Sequence, residues 1–430
     1  MKRLASLLMA CTLLTANALP AFAQEKELLV MGLEVHQNNL RAMGFAEGGV
    51  DALKPFEDKT GVKVVFNLGT GTALEEGLQR VGTLGQSQED LIYVPQLSAS
   101  PRIKAFLEPL DGYLGAEAIA GFPDQWSPGV VNAASVDGQL YLLPVRCGTF
   151  TLWSNSEMLK ARDIAAPPTT PEELYAAAKA LTYTKDNGEQ VFGFSSRGDK
   201  FAQSEDLAIL ARMFGGDLVD ADGKVVINGP GVVKAVELLR QMFVEGIMPP
   251  NWASLDGGAV NQMFRDERLG MVFGGGNYGS QLQGGGALVS GKAVPSYPPL
   301  EESLKTADLS YSRSVLWFWG IGMFKGSTDK ELAYDLIRHI GEPVVQQEMA
   351  NNGNAPCTAD VLARAAASDE GMRIAADIMK VSAPPLPAHP RINQVRDLLG
   401  IAVQDIVANG APAEATLDRL AADMTAILGS

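Results

Sequence analysis

The feature that most constrains the fold is the run QLYLLPVRCGTFTLWSN at residues 139–155. It is mostly apolar and extended in character, with Pro144 and Gly148 inside it and the basic Arg146 near its middle. Strands in globular proteins usually have about 3–10 residues. The run therefore predicts two consecutive strands, with a charged residue at the interruption between them.

Strands and helices alternate on both sides of this run. The segments ELLVM at 27–31 and VKVVF at 62–66 read as strands, with a helix at 50–60 between them. This order is typical of a βαβ unit in a parallel sheet. After the run, Thr170 is the predicted N-cap of a helix and Pro171 its first residue. The sequence thus predicts an α/β protein whose two halves join within the run.

A second apolar extended run, WFWGIGMF at 317–324, precedes the helical pattern DKELAYDLIRHI. We expect it to mark a second crossing between the halves. Trp317 and Trp319 fall on one face of this strand, because side chains alternate between the faces of a sheet. A tryptophan face can stack on the C–H face of a sugar. Trp317 is the better candidate for a cleft, and a place in the core is the alternative.

The amino terminus has the pattern of a secretory signal peptide. Lys2 and Arg3 precede an apolar stretch, and the small residues Ala21 and Ala23 follow it. We expect cleavage after Ala23, so that residues 1–23 are removed and the protein is exported to a bacterial periplasm. No later segment is long and apolar enough to predict a membrane span.

Charge excludes one class of partner. The chain carries a net charge of −15 at pH 7, whereas nucleic-acid binding needs clustered Lys and Arg to contact phosphates. We therefore expect no nucleic-acid partner.

Two cysteines, Cys147 and Cys357, remain after the predicted signal peptide. In an oxidising compartment they could form a disulfide. Two separate buried thiols are an equal alternative, since separation in sequence does not show whether the Cα atoms come close enough.

The segment GGGNYG at 274–279 matches the spacing G-x-G-x-x-G and follows a predicted strand. A dinucleotide fingerprint also needs a helix that begins there and an acidic residue about 20 positions later. The glycine-rich sequence that follows does not favour such a helix. We interpret the segment as a loop in which glycines let the backbone approach a ligand, with Tyr278 as its aromatic side chain; an ordinary flexible loop is the alternative.

The sequence gives little support for a metal site or a catalytic nucleophile. It contains no H-E-x-x-H, C-x-x-C or G-x-S-x-G pattern, so we expect no cofactor and no metal. Of the three histidines, His339 lies in a predicted helix and is structural, while His36 and His389 could bind a ligand or face solvent. Pairs of carboxylates are common among fifty Asp and Glu residues, which leaves a glycosidase pair open.

Several segments together resemble a known family. They are the double strand with its continuation SEML, the helix start PTTPEELYAAAKAL, the turn DADGKVVIN after a Gly-Gly pair, and WGIGMFKGSTDKELAYDLIRHI. In this order they resemble extracellular solute-binding proteins of family 1, the maltodextrin-binding-like receptors of ABC importers. The resemblance covers essentially the whole mature chain.

The resemblance implies two α/β lobes that close on a ligand in a hinged cleft. The amino-terminal lobe would comprise residues 24–146 and 314–369, and the carboxyl-terminal lobe residues 147–313 and 370–430. Pro144 and Gly148 would then frame the hinge. The implied function is a monomeric receptor, without enzymatic activity, that delivers a small carbohydrate, polyol or sugar acid to an ABC permease. A secreted carbohydrate-active enzyme with a carboxylate pair in the cleft is the alternative.

The resemblance also implies which loops line the cleft. The implied ligand-binding residues are His36, Gln37, Thr70, Thr72 and Gln96 in the first lobe, Arg146 and Thr149 at the hinge, and Arg197, Asn277, Tyr278, Trp317, His389 and Arg391 in the second lobe. Further residues in these loops are Glu34, Ser98, the stretch from Arg197 to Gln203, and Asn393.

The sequence leaves open whether the ligand is negatively charged or neutral. Relatives often place acidic residues near the cleft, and this chain has Gln96 and Gly148 at such places. Arg146, Arg197, Arg313 and Arg391 would together suit a negatively charged ligand such as a sugar acid, because Arg presents a planar fork of donors. A neutral sugar stacked on Trp317 or Tyr278 is the other alternative.

Overall fold

The structure is a computed structural model that describes residues 26–43, 48–84, 87–96, 101–114, 118–283 and 286–429, without the side chains of Ser280 and Gln283. The predicted signal peptide and Ser98 lie outside the described residues. The strands are β1 (Lys26–Gly32), β2 (Val62–Leu68), β3 (Leu91–Pro95), β4 (Ser135–Val136), β5 (Gln139–Leu140), β6 (Leu143–Gly148), β7 (Phe150–Asn155), β8 (Tyr183–Thr184), β9 (Gln190–Ser195), β10 (Leu269–Gly275), β11 (Ala293–Ser296) and β12 (Trp317–Met323).

Helices follow most of these strands. The α-helices are α1 (Glu34–Arg41), α2 (Lys54–Thr60), α3 (Gly71–Leu84), α4 (Asp111–Leu114), α5 (Pro128–Ala133), α6 (Ser156–Lys160), α7 (Pro171–Ala180), α8 (Gln203–Met213), α9 (Pro230–Val244), α10 (Gly257–Arg265), α11 (Tyr278–Gln283), α12 (Lys330–Gly341), α13 (Pro343–Asn351), α14 (Ala359–Ser368), α15 (Glu370–Met379), α16 (Ile392–Val407) and α17 (Ala413–Leu428). None of the helices in these described ranges is long and apolar enough to cross a membrane.

Ten of these twelve strands form two five-stranded sheets, while β4 pairs with β5, and the α/β prediction is confirmed. The first sheet has the order β2-β1-β3-β12-β6, and the second has the order β11-β7-β10-β9-β8. In the first sheet, β1 runs parallel to β2 and β3, whereas β12 runs antiparallel to its neighbours β3 and β6. The carboxyl ends of β1, β2, β3 and β6 therefore lie at the same edge of the first sheet, next to the amino end of β12.

The run at 139–155 contains the crossing between the sheets. Its strands β6 and β7 belong to different sheets, and Thr149 alone separates them. Pro144 lies inside β6, where the register with β12 shifts between Trp319 and Gly320. A bulge of this kind tolerates a proline, which has no N–H to donate to the ladder. The predicted double strand is confirmed, and the chain returns to the first sheet at β12, as the second apolar run predicted.

The boundaries of the two predicted lobes remain a prediction. Within the described residues, Arg212 joins segments that are far apart in the sequence. The buried Arg212 of α8 donates to the carbonyl oxygens of Ser314 at 2.6 Å and Ala383 at 2.9 Å, and pairs with Asp217 at 3.1 Å. Burial lowers the pKa of Arg212, although the Asp217 carboxylate opposes this effect. Arg212 thus ties the segments that contain Ser314 and Ala383 to helix α8.

Helix α7 begins as predicted, with Thr170 as its N-cap and Pro171 as its first residue. The Thr170 side chain accepts a hydrogen bond from the Glu173 N–H, with Pro171 at the first helical position. The Glu173 carboxylate in turn accepts from the Thr169 N–H at 2.8 Å. The start of the helix is thus satisfied by side chains on both sides of the cap.

A covalent link fastens the free edge of β6. Cys147 and Cys357 form a disulfide with their Cα atoms 4.8 Å apart. The segment that carries Cys357 also runs along this edge, where the Cys147 N–H donates to the Ala355 carbonyl at 2.9 Å and the Asn354 amide donates to the Val145 carbonyl at 2.7 Å. The edge strand is thereby covered rather than left open for pairing.

We expect the disulfide to stabilise the protein measurably. Because it closes a loop with a sequence separation of 210 residues, replacing both cysteines by serine should lower the free energy of unfolding by about 2–4 kcal/mol. Thermal unfolding of the double variant and the wild type, followed by circular dichroism, tests this. Equal unfolding midpoints would contradict it, and a thiol titration of the denatured, unreduced wild type provides the control.

Candidate functional site

A cavity of about 630 Å³ opens at the edge of the first sheet where the carboxyl ends of its parallel strands meet. Ligands of open α/β sheets bind outside the carboxyl ends of the strands. The loops after β1, β2 and β3 form one wall, and residues of β7, β10 and α10 form the other. The cavity therefore lies between the two sheets, and its volume is in the range of small-molecule sites, about 300–1,000 Å³.

The floor of the cavity is a row of two aromatic rings with an arginine at each end. The Arg146 guanidinium lies 4.7 Å from the centroid of the Trp317 ring, which in turn is 6.1 Å from the Phe150 ring. Phe150 also contacts a second arginine, because the Arg197 guanidinium lies 4.7 Å from its ring centroid. The row passes from the first sheet to the second and includes the first residue of β7. It joins the two halves next to the crossing at Thr149.

A second row of aromatic rings runs beside the first. The Arg396 guanidinium lies 4.4 Å from the Phe201 ring, and Phe201 is 6.4 Å from Trp319. Behind Trp319, the His36 ring lies edge-on at 4.8 Å and stacks on Tyr93 at 4.0 Å. Phe201 and Trp319 line the cavity, so their rings offer apolar surface to a ligand.

Gly148 is needed for the position of Trp317. A Cβ atom at residue 148 would come within 2.7 Å of the Trp317 ring, which is closer than real Cβ contacts allow. The glycine that was predicted to frame the hinge is the last residue of β6, and it lets the indole lie flat against the crossing strand.

The second-sheet wall carries a buried ion-pair cluster. Arg197 pairs with Glu205 at 2.9 Å and donates its Nε–H to Asp206, also at 2.9 Å. Burial by itself would lower the pKa of Arg197, but the Asp206 and Glu205 carboxylates outweigh it and raise the pKa. The charge of Arg197 is therefore already compensated within the protein.

Asp199 is the carboxylate of this wall that is least compensated. Burial raises the pKa of Asp199 to about 6, opposed by the Arg197 charge and assisted by Asp206 and Asp256. Its Oδ2 accepts from the Phe201 N–H, while its Oδ1 is buried without a hydrogen-bond partner. Asp199 lines the cavity, where a hydroxyl group of a ligand could donate to Oδ1.

Comparison with known proteins assigns the chain to a family. The family described as bacterial extracellular solute-binding protein matches residues 51–374. The chain belongs to this family.

Solved structures support the two-sheet fold of this solute-binding protein. It is similar to a solute-binding protein of an ABC transporter from Thermotoga lettingae, solved with bound α-D-tagatose, with a TM-score of 0.80 and 21% identity over 94% of this chain and 100% of the other. A corresponding protein from Agrobacterium radiobacter K84, in complex with ribitol, has a TM-score of 0.78 and 19% identity over 93% of this chain and 98% of the other.

Curated relatives match a shorter stretch. A binding protein of Brucella abortus strain 2308 is 25% identical over 165 residues, which is 38% of this chain and 38% of the relative. The match thus spans well under half of the relative's length.

Seven of the thirteen residues predicted to bind ligand line the cavity of this solute-binding protein. They are Thr70, Thr72, Gln96, Arg146, Arg197, Tyr278 and Trp317. The other six do not line it: His36, Gln37, Thr149, Asn277, His389 and Arg391. Trp317, grouped above with the loops of the second lobe although it falls within residues 314–369 of the predicted first lobe, belongs to β12 of the first sheet. Direct ligand contact remains a prediction for all of them.

His36 and Thr149 lie behind the lining. His36 is in helix α1, not in a loop, and its Nδ1 accepts from the Leu33 N–H at 3.1 Å. Thr149 is fully buried between β6 and β7. Both therefore hold the lining residues in place. Gln37 follows His36 on α1 and is partly exposed.

Asn277 and the Pro-rich turn make contacts elsewhere. The Asn277 amide donates to the Gly353 carbonyl at 2.8 Å, which ties the glycine-rich loop to the segment that carries Cys357. Arg391 donates to the Ile427 carbonyl at 2.5 Å, and its N–H donates to Nδ1 of His389. The contacts of Arg391 lie at the start of α16 and the end of α17.

Only two of the four arginines considered for an anionic ligand line the cavity. Arg313 pairs with Asp217 at 2.7 Å and does not line the cavity, and neither does Arg391. Arg146 and Arg197 do line it, together with Arg396, which the sequence did not indicate.

Other lining residues were missed. Phe150 and Trp319 lie on strands that the sequence had located, so alternation along a strand could have found them. Asp256 is the N-cap of α10 and Asn261 lies within this helix. No local pattern in the sequence shows that α10 packs against the cavity. The glycine-rich loop after β10 continues into the short helix α11, which the sequence did not favour.

We predict a pH-dependent effect of removing the Asp199 charge. A carboxyl whose pKa is raised on folding binds more protons in the folded state, so it destabilises the protein increasingly as pH rises from about 4 to about 6. Asp199→Asn should therefore raise the melting temperature above this window and leave it unchanged below. Melting curves between pH 3 and pH 8 test this, with Asp222→Asn in an exposed turn as control. The same difference at every pH would contradict it.

Proposed function

We propose that this solute-binding protein is the periplasmic receptor of an ABC importer. It captures a small polyhydroxylated compound, a sugar, polyol or sugar acid, in the cavity between the sheets and delivers it unchanged to a permease in the inner membrane. The observation that carries the proposal is the combination of an aromatic floor with polar walls in one cavity of about 630 Å³.

The aromatic residues suit the apolar face of a sugar ring. Trp317 and Trp319 are adjacent on one face of β12, and Phe201 and Tyr278 contribute further rings. Flat aromatic faces pack against C–H groups. Because sugars and polyols also carry hydroxyl groups all round, they need polar partners at the rim.

The walls supply those partners. Asp199 and Asp256 present carboxylates, and Asn261 has a buried Oδ1 without a hydrogen-bond partner. On the opposite wall, Thr70, Thr72 at the start of α3 and Gln96 offer hydroxyl and amide groups. The ligands named for the similar solved structures, tagatose and ribitol, are compounds of this size and chemistry.

Export and delivery rest on the sequence and the family. The predicted signal peptide supports a periplasmic location, and the family is one of extracellular proteins. The crossing at Thr149 supports a hinge, since closure of two halves around a ligand needs only a few residues to change their backbone angles. We propose that the closed monomer is the form the permease receives.

The alternative is a secreted carbohydrate-active enzyme. One observation favours it: Asp199, whose pKa is raised to about 6, lies in electrostatic contact with Asp256 at the cavity, and a raised carboxyl can act as a general acid. Membership of a solute-binding family favours binding without turnover.

A thermal-shift screen over neutral sugars, polyols and sugar acids tests the proposal. A ligand that binds only the folded protein stabilises it by about 2.7 kcal/mol at a hundredfold excess over Kd, so we expect a clear rise in melting temperature for at least one compound. Chromatography of that compound after incubation should show no product. A compound that stabilises the protein and is consumed would support the enzyme instead.

Variants locate the binding site. Trp317→Leu should weaken the stabilising compound about tenfold, because it removes a stacking contact of roughly 1.4 kcal/mol. Tyr113→Leu, which removes a ring stacked on Tyr334 away from the cavity, should leave the affinity unchanged. Equal losses in both variants would place the ligand elsewhere.

A further inference from the structure

The charge of Arg146 has no counter-charge in the part of the cleft that the structure describes. Three arginines line this cavity. Arg197 pairs with Asp206 and Glu205, and Arg396 pairs with Glu75 at 3.0 Å. No described carboxylate forms an ion pair with Arg146, and its Nε is buried without a hydrogen-bond partner.

Holding this cation in place is costly. Burial lowers the pKa of Arg146 to about 10, and the Tyr278 phenol opposes this only in part. The side chain nevertheless stays protonated at neutral pH. Arg146 is partly exposed to the cavity. A charge that has lost most of its hydration usually has a partner or hydrogen bonds that compensate the loss, and here the Trp317 ring is the contact that the structure shows.

The groups around Arg146 are donors. Trp317 Nε1 is buried without a partner. Nδ1 of His36 accepts a hydrogen bond, and its pKa lies well below the ordinary value because of burial and then the charge of Arg146. A neutral histidine whose Nδ1 accepts carries its proton on Nε2, and this Nε2 is also without a partner. Among the described residues, Trp317 and His36 thus add N–H groups near Arg146, and no carboxylate pairs with it.

The opposite wall has the reverse character. Asp199, Asp256 and Asn261 present oxygen acceptors to the cavity, two of them with an oxygen that lacks a partner. Hydroxyl groups can donate to such oxygens, whereas a carboxylate or phosphate cannot. The cavity is therefore polarised, with a cation at the floor and acceptors on the α10 wall.

We infer that the ligand is a polyhydroxylated acid, with a carboxylate or phosphate at Arg146 and hydroxyl groups directed to Asp199, Asp256 and Asn261. This inference rests on the proposed function and narrows its substrate class. The planar guanidinium can donate two parallel hydrogen bonds to an anionic group. A neutral sugar would leave the charge of Arg146 uncompensated.

Calorimetric titration of matched pairs tests the inference on the wild type. The pairs are glucose with glucuronate and glucose 6-phosphate, galactose with galacturonate, and mannitol with mannonate. We expect at least one acid to bind about tenfold or more tightly than its neutral counterpart. Raising the salt concentration from about 0.01 M to about 1 M shortens the Debye length from about 30 Å to about 3 Å, so the affinity of the acid should fall and that of a neutral compound should not.

Variants identify the residue. A charge-assisted hydrogen bond contributes about 1.5–3 kcal/mol, so Arg146→Gln should weaken the acid roughly tenfold to a hundredfold and change the neutral counterpart little. Arg146→Lys keeps the charge and should retain the preference for the acid. Arg313→Gln is the matched control, because Arg313 is exposed and paired with Asp217 outside the cavity.

The outcomes separate this inference from the proposed function. Neutral sugars that bind while their acids do not, or an acid whose affinity is the same in the wild type and Arg146→Gln, would overturn the inference and leave the receptor proposal standing. If Arg146→Gln fails to fold, the wild type alone tests the inference. The two deciding quantities are then the ratio of the affinity for the acid to that for its neutral counterpart, and the salt dependence of this ratio. If no polyhydroxylated compound binds at all, the proposed function and this inference both fail.

Discussion

The antiparallel pairing of β6 with β12 is the interaction on which the rest of the site depends. It places Arg146 opposite Trp319 and Gly148 opposite Trp317 at the edge where the carboxyl ends of β1, β2 and β3 also meet. The next strand, β7, begins at Phe150, three residues after the disulfide-bonded Cys147, and belongs to the other sheet. One strand pair therefore sets the cavity floor and fixes where the two sheets meet.

The same region combines stabilising and destabilising groups. The Cys147–Cys357 disulfide and the Asn354 contact to Val145 anchor β6 from outside. Inside the cavity, Arg146 keeps a charge and Asp199 a carboxyl group that burial disfavours. Stability and function often conflict at binding sites. The disulfide thus anchors β6 next to Arg146, for which the described residues provide no counter-charge. This arrangement is expected of a site in which the ligand supplies the missing charge.

Local signals in the sequence predicted much of the fold but only part of the site. The double strand and the start of α7 depend on neighbouring residues, so they were readable. Helix α1 was not, because its buried face consists largely of His36, Asn38 and Asn39, and periodicity of apolar residues is the signal for a helix. Arg391 was expected at the cleft, but its partner is the Ile427 carbonyl 36 residues away in α17, a contact no local pattern encodes.

The central claim is that a ligand lies on the tryptophan floor of β12. Fluorine NMR of protein labelled with 5-fluorotryptophan tests it most directly, with resonances assigned by single Trp→Phe variants. On saturation with a compound that stabilises the protein, the resonances of Trp317 and Trp319 should shift, while that of Trp252, fully buried and bonded to Ser196, should stay. Unchanged Trp317 and Trp319 resonances in a saturated sample would contradict the account.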